Sequence, residues 1–134
     1  MLRGIFLTVL LLLVTLPAAA QTEADFFDGS VLHEIRIDIR PSDWQQLKAH
    51  FLENTYYAAD MHWRFNGKLV DVQQVGIRSR GVGSRSPIKP GLRVDFDRYN
   101  SGQRFLGLKS VVLRNNSQDP SMMHERVSLE VMRR

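Results

Sequence analysis

Residues 77–97, IRSRGVGSRSPIKPGLRVDFD, gather the groups best suited to hold an anion. Gly81 and Gly83 let backbone N–H groups approach a negative oxygen closely, and Ser84 and Ser86 add hydroxyl donors. Arg78, Arg80, Arg85, Lys89 and Arg93 bring positive charge to the same stretch. The chemistry such a set serves is phosphate binding. A glycine-containing loop between strands, with a basic residue on the next strand, is how kinase-type nucleotide sites cover a triphosphate. Residue types alone also allow a plainer reading, an ordinary Gly-Ser-Pro connection flanked by solvated basic side chains.

A second stretch, residues 115–125 (NNSQDPSMMHE), supplies a carboxylate. Asp119 or Ser121 can cap a following helix, and Glu125 lies about one turn inside it. From there Glu125 can either orient Lys89 or Arg93 toward a phosphate, or simply close a capping box. Other chemistries find no support. His33, His50, His62 and His124 are scattered without metal-ligand spacing, and the absence of cysteine removes thiol nucleophiles, disulfides and zinc ribbons. No G-x-S-x-G, G-x-x-x-x-G-K-[ST] or G-x-G-x-x-G occurs. Trp44, Trp63, Tyr56 and Tyr57 could stack on a sugar, although the helical spacing of Trp44 suits a core position better.

The elements that must position these groups follow from periodicity. Residues 31–39 (VLHEIRIDI) alternate apolar and polar, which predicts a strand with one wet face. Pro41 and Ser42 then open a helix, with Asp43 in its positive first turn and Trp44, Leu47 and Phe51 or Leu52 at helical spacing up to Asn54. Residues 57–65 and 68–80 alternate around Asn66-Gly67, the strongest short hairpin signal, and a bulge is expected near Gly76. Leu92, Val94 and Phe96 mark a further strand, and Val111 to Leu113 another. Pro120 to Arg134 reads as a helix whose apolar face (Met122, Met123, Val127, Leu129, Val131) needs a partner. The polar lead-in 21–29 carries Phe26 and Phe27, both expected to dock on the body. The fold class is α+β: a mostly antiparallel sheet with a helix near each end.

The N-terminus reads as an address. Arg3, the apolar run Ile5 to Leu16, and Pro17-Ala18-Ala19-Ala20 form the three parts of a cleavable signal peptide over residues 1–20, leaving a mature domain over 21–134. The run is shorter than the roughly 20 apolar residues a membrane span needs. A secreted or extracytoplasmic location follows, with no lipid-modified cysteine and no membrane partner after cleavage. The whole chain has 18 Lys and Arg against 14 Asp and Glu, net +4, of which the leader holds only Arg3. So mild an excess does not predict a nucleic-acid partner.

Several blocks in order resemble the CotH (spore coat protein H) kinase family: HEIRIDIRPSDW, FNGKLVDVQQVGIRSRG, R-G-x-x-S-R-x-x-x-K at Arg80 to Lys89, and D-F-D-x-Y…G-Q-x-F-L-G-L-K at Asp95 to Lys109. The segment N-N-x-x-D-P-S-M…E at Asn115 to Glu125 is similar as well, and the resemblance spans roughly residues 28–133. It implies the N-lobe of an atypical protein-kinase-like fold, using ATP and Mg2+ to phosphorylate serines of secreted or surface proteins. Arg80, Gly81, Gly83, Ser84 and Ser86 would form the loop over the phosphates. Lys89 or Arg93 would be the phosphate-binding cation, and Glu125 the helix carboxylate that pairs with it. In that family the catalytic loop and metal-binding acidic residues lie downstream of the segment resembling 115–125. The chain is therefore expected to be a truncated N-terminal part whose C-terminal lobe is missing and which does not catalyse by itself. The other expectation is a non-catalytic surface interaction module of the same fold.

Overall fold

The computed structural model describes residues 20–133. The signal-peptide reading falls, but for Ala20, outside them. Five strands form one antiparallel sheet in chain order: β1 (Glu34–Ile39), β2 (Tyr57–Phe65), β3 (Lys68–Ser79), β4 (Leu92–Asp95) and β5 (Ser110–Leu113). Helix α1 (Glu23–Phe26) precedes the sheet, α2 (Pro41–Ala49) joins β1 to β2, and α3 (His124–Met132) follows β5. The α+β expectation holds, with α1 as an addition. Thr22 caps α1 reciprocally with Asp25, a capping box in a segment expected only to be a polar lead-in. Phe26 is buried, but Phe27 is 61% exposed, so only one of the two aromatics docks.

Alternation decides the faces. Ile35, Ile37 and Ile39 of β1 stand opposite Trp63, Met61 and Ala59 of β2, all on the core side. The Asn66-Gly67 turn has positive φ at both residues (48° and 74°), the geometry a type I′ hairpin requires. In β3 the apolar set is Val70 and Val72, then Val75 and Ile77, a slip of one residue in the period of two. A bulge absorbs the slip: Met61 pairs with Val72 and Ala59 with Val75, leaving Gln73 and Gln74 opposite Asp60. Gln74 takes φ 54°, and its N–H donates to Asp60 Oδ1 at 2.8 Å. The bulge expected near Gly76 thus lies two residues earlier. Gly76 has a different task, because a Cβ there would come within 2.6 Å of the Arg98 side chain.

Trp63, Phe26, Phe105 and Phe96 make the centre of the core, with ring centroids 5.0–5.6 Å apart along the chain of contacts. Trp63 Nε1 donates to His33 Nδ1 at 3.2 Å while His33 Nε2 donates to the Asp28 carbonyl at 2.8 Å, which fixes one neutral tautomer. Strand β1 begins at Glu34 rather than Val31, because its partner β2 turns away at Asn66-Gly67. Val31 and Leu32 are left exposed. Trp44 packs half-buried against the core, and α2 ends at Ala49, short of the exit expected at Asn54.

On the opposite face of β1–β2–β3, His62 lies between two carboxylates. Its Nδ1 is 2.6 Å from Asp71 Oδ1 and its Nε2 3.3 Å from Asp38 Oδ2, and Arg36 holds Asp38 from the other side. Both ring nitrogens face acceptors, an arrangement only the imidazolium satisfies. The hydrogen bond to Asp71 is the largest influence; with the charges of Asp71 and Asp38 it outweighs burial and Arg36 and raises the His62 pKa above its ordinary 6.5. The folded-state pKa is the higher one, so the stabilisation is complete below about pH 6.5 and is lost as pH rises through the raised value. The melting midpoint is therefore expected to fall between about pH 6 and about pH 8, and His62→Gln to flatten that slope; an unchanged slope in His62→Gln would refute the clamp.

Candidate functional site

The loop 80–91 leaves β3 and returns to β4 with little regular structure, so side chains must satisfy its backbone. Asn115, buried just after β5, does most of this. Its Nδ2 donates to the carbonyls of Ser84 and Lys89, both at 2.8 Å, and its Oδ1 accepts from Ser117 N–H at 3.2 Å. Gln118 Nε2 adds a bond to the Gly83 carbonyl at 3.3 Å. At the other end Arg85 ties the loop to the C-terminus of α2. Its guanidinium donates to the carbonyls of Gly81 (3.0 Å), Leu52 (2.6 Å) and Glu53 (3.0 Å) and to Asn54 Oδ1 (2.6 Å). Gly81 sits at φ 143° with Ser84 Oγ where a Cβ would go, and Gly83 at φ 72°, so both glycines are required by conformation.

Between this loop, the segment after β5 and the start of α3 lies a cavity of about 530 Å³. Arg80, Gly81, Ser84, Arg114, His124 and Glu125 are among its lining residues. Four residues singled out from the sequence thus share one cavity: Arg80, Gly81, Ser84 and Glu125. Gly83 is adjacent through Gln118. Ser86, Lys89 and Arg93 do not line it. The Ser86 hydroxyl accepts from the backbone of Ile88 and Lys89, a turn-forming role, and Lys89 is exposed. Arg93 is bound to Asp95 at 2.8 Å and to Ser110 at 3.2 Å.

Glu125 finds its cation in Arg114, at 3.1 Å, not in Lys89 or Arg93. Residue types could not single out Arg114, since it lies at the end of β5 and meets Glu125 only through the intervening turn. That turn is built by Asp119, whose Oδ1 accepts from Ser121 and whose Oδ2 accepts from His124 N–H at 2.8 Å. The Ser121 hydroxyl bond is the first cause holding the Asp119 carboxyl below its ordinary range. Met122 takes φ 57°, so the helix expected from Pro120 begins only at His124. Asp119 and Ser121 both serve the helix start, where either alone was anticipated.

The chain is thus an α+β sheet domain whose glycine-containing loop closes one wall of a pocket lined by both arginines and carboxylates. Residues 77–134 of the chain match the family model of the CotH kinase protein, and the resemblance read from the sequence is borne out for that portion. No curated protein and no solved structure matches the chain.

If Asn115 holds the loop, Asn115→Ala should cost about 1–3 kcal/mol in urea unfolding, the usual price of orphaned buried groups, and speed amide exchange across residues 84–91. Asn115→Asp should be at least as damaging, because a carboxylate cannot donate to two carbonyls. Wild-type exchange in either variant would show that the loop is held by other contacts.

Proposed function

We propose that this chain is the phosphate-facing, N-lobe-like part of an exported CotH-type protein kinase, a protein that phosphorylates serines of secreted or surface proteins with ATP. The observation that carries the reading is the joining of loop 80–84 to the Arg114–Glu125 pair around one cavity, within the segment that matches the family. The cavity size is within the range of small-molecule sites, about 300–1,000 Å³.

The residues present suit a polyphosphate. Glycines with a conformational requirement leave the backbone at 81 and 83 open to a ligand, and Arg80 and Arg114 offer positive charge in the lining. ATP, when bound, supplies the transferable phosphoryl group. The chain's own residues bind and orient: the 81–84 backbone and Ser84 meet phosphate oxygens, Arg80 neutralises charge, and Glu125 holds Arg114 in place. A divalent metal fits less well. Among the described residues no group of three or more His, Asp or Glu side chains could hold one. Asp119 and Glu125 are already engaged by the helix start and by Arg114, so we derive no step through Mg2+.

The test is thermal. ATP and tripolyphosphate are expected to raise the melting midpoint of the chain, by the equivalent of about 2.7 kcal/mol at a hundredfold excess over Kd. Adenosine should not, and Arg80→Ala should abolish most of the shift. Equal shifts with adenosine, or none with either phosphate compound, would overturn the phosphate reading.

A further inference from the structure

The sheet face turned away from the apolar core carries a charge arrangement that the cavity does not use. In the β3–β4 register Arg78 stands directly opposite Arg93, and Gly76 opposite Asp95. Like charges directly across an antiparallel pair destabilise a sheet. The pair is tolerated through a relay. Arg93 Nε donates to Asp95 Oδ1 at 2.8 Å, the Tyr56 hydroxyl donates to Asp95 Oδ2, and Arg78 Nε donates to the Tyr56 oxygen at 3.1 Å. A third guanidinium, that of Arg98, lies over the Tyr56 ring, 4.5 Å from its centroid, with its stem across Gly76.

Three guanidinium groups therefore gather around one carboxylate, and both oxygens of that carboxylate are taken. Burial pushes the Asp95 carboxyl up, but the bonds from Tyr56 and Arg93 more than offset it and keep the pKa below the ordinary value. With Asp95 ionised, this group of side chains keeps an excess of two positive charges. The next carboxylate along the chain, Asp97, is already shared by Arg104 (3.3 Å) and Lys109 (3.4 Å). Arg98 is exposed, and its guanidinium makes no hydrogen bond to an acceptor among the described residues. Arg78 shares Asn54 Oδ1 with Arg85, which extends the basic strip toward the end of α2.

We propose that this face docks an extended acidic peptide, rich in Asp or Glu, on another protein. Planar guanidinium groups take carboxylates two bonds at a time, and these three lie on a sheet face outside the cavity. The Tyr56 ring is already covered by Arg98, so it offers no free face for the base stacking that single-stranded nucleic acid uses. The inference is independent of the phosphate cavity, since Arg78, Arg93 and Arg98 do not line it.

Fluorescence anisotropy of the full chain with a labelled Glu-Ser repeat peptide and its Gln-Ser counterpart tests this. The acidic peptide should bind, more weakly as salt rises, and the Gln-Ser peptide should not. Arg98→Gln keeps a stem across Gly76 while removing the charge, and should weaken binding about fivefold; Arg98→Ala should do the same. Arg36→Ala, an exposed arginine paired with Asp38 on β1, should leave binding unchanged. Equal binding of the two peptides, or equal losses in the Arg98 and Arg36 variants, would overturn the proposal. So would tighter binding of labelled polyphosphate or single-stranded DNA at this face, lost in Arg98→Gln, which would reassign it to phosphate ligands.

Discussion

One extra residue in β3 sets the face of every side chain that follows it. Because side chains alternate along a strand, a shift of one residue would turn Val75, Ile77, Val94 and Val111 from the core to solvent. The bulge at Gln73 and Gln74 prevents this, and Asp60 secures it by accepting the Gln74 N–H that the ladder cannot use. Everything downstream inherits the phase. Ile77, Val94 and Val111 go to the core with Trp63 and Phe105, while Arg78, Arg93 and Ser110 go to the other face.

That division gives the two faces different kinds of stability. The core face is held by packed aromatic and branched side chains, whose burial is the main favourable term. The other face is held by hydrogen-bonded charges, where leaving one partner alone is costly. Gly76 belongs to the second system although it sits in an apolar strand: it gives room to the Arg98 stem, and so lets a third guanidinium reach Tyr56. The loop 80–91 belongs to neither face. It is positioned by two polar side chains, Asn115 and Arg85, which bond to its main chain from opposite sides. The cavity wall is thus fixed through the loop's backbone acceptors, and Arg80 and Ser84 line the cavity.

The sheet was legible in the sequence because a period of two and an Asn-Gly turn are local signals, and the β2–β3 hairpin matches them. That β3 carries a bulge was legible too. Its position was misassigned to Gly76 because glycine is a common bulge residue, while Gln74 at positive φ is not. The late start of α3 was hidden for a similar reason. Met122 in a left-handed conformation has no sequence signal, and the Asp119–Ser121 turn resembles a cap until its bonds are traced. Pairings over distance were beyond reach: Glu125 with Arg114, Arg93 with Asp95 and Arg85 with the end of α2 depend on how strands and loops meet. The family resemblance drew attention to one stretch without deciding which cation faces which carboxylate.

Helix α3 is the least anchored wall of the cavity. None of its residues is buried, and Val127, Leu129 and Val131 are more than half exposed. A helix of this length is marginal in water without tertiary packing, and the Arg114–Glu125 pair, exposed on both sides, contributes at most about 1 kcal/mol. The Asp119 bonds fix where the helix starts, not how it leans. An anion held between Arg80 and Arg114 would supply what the apolar side chains do not, a tie between the loop and the helix through the ligand itself. Under that arrangement ordering of α3 and occupancy of the cavity rise together, and the strength of binding depends on how much of the helix position is settled beforehand.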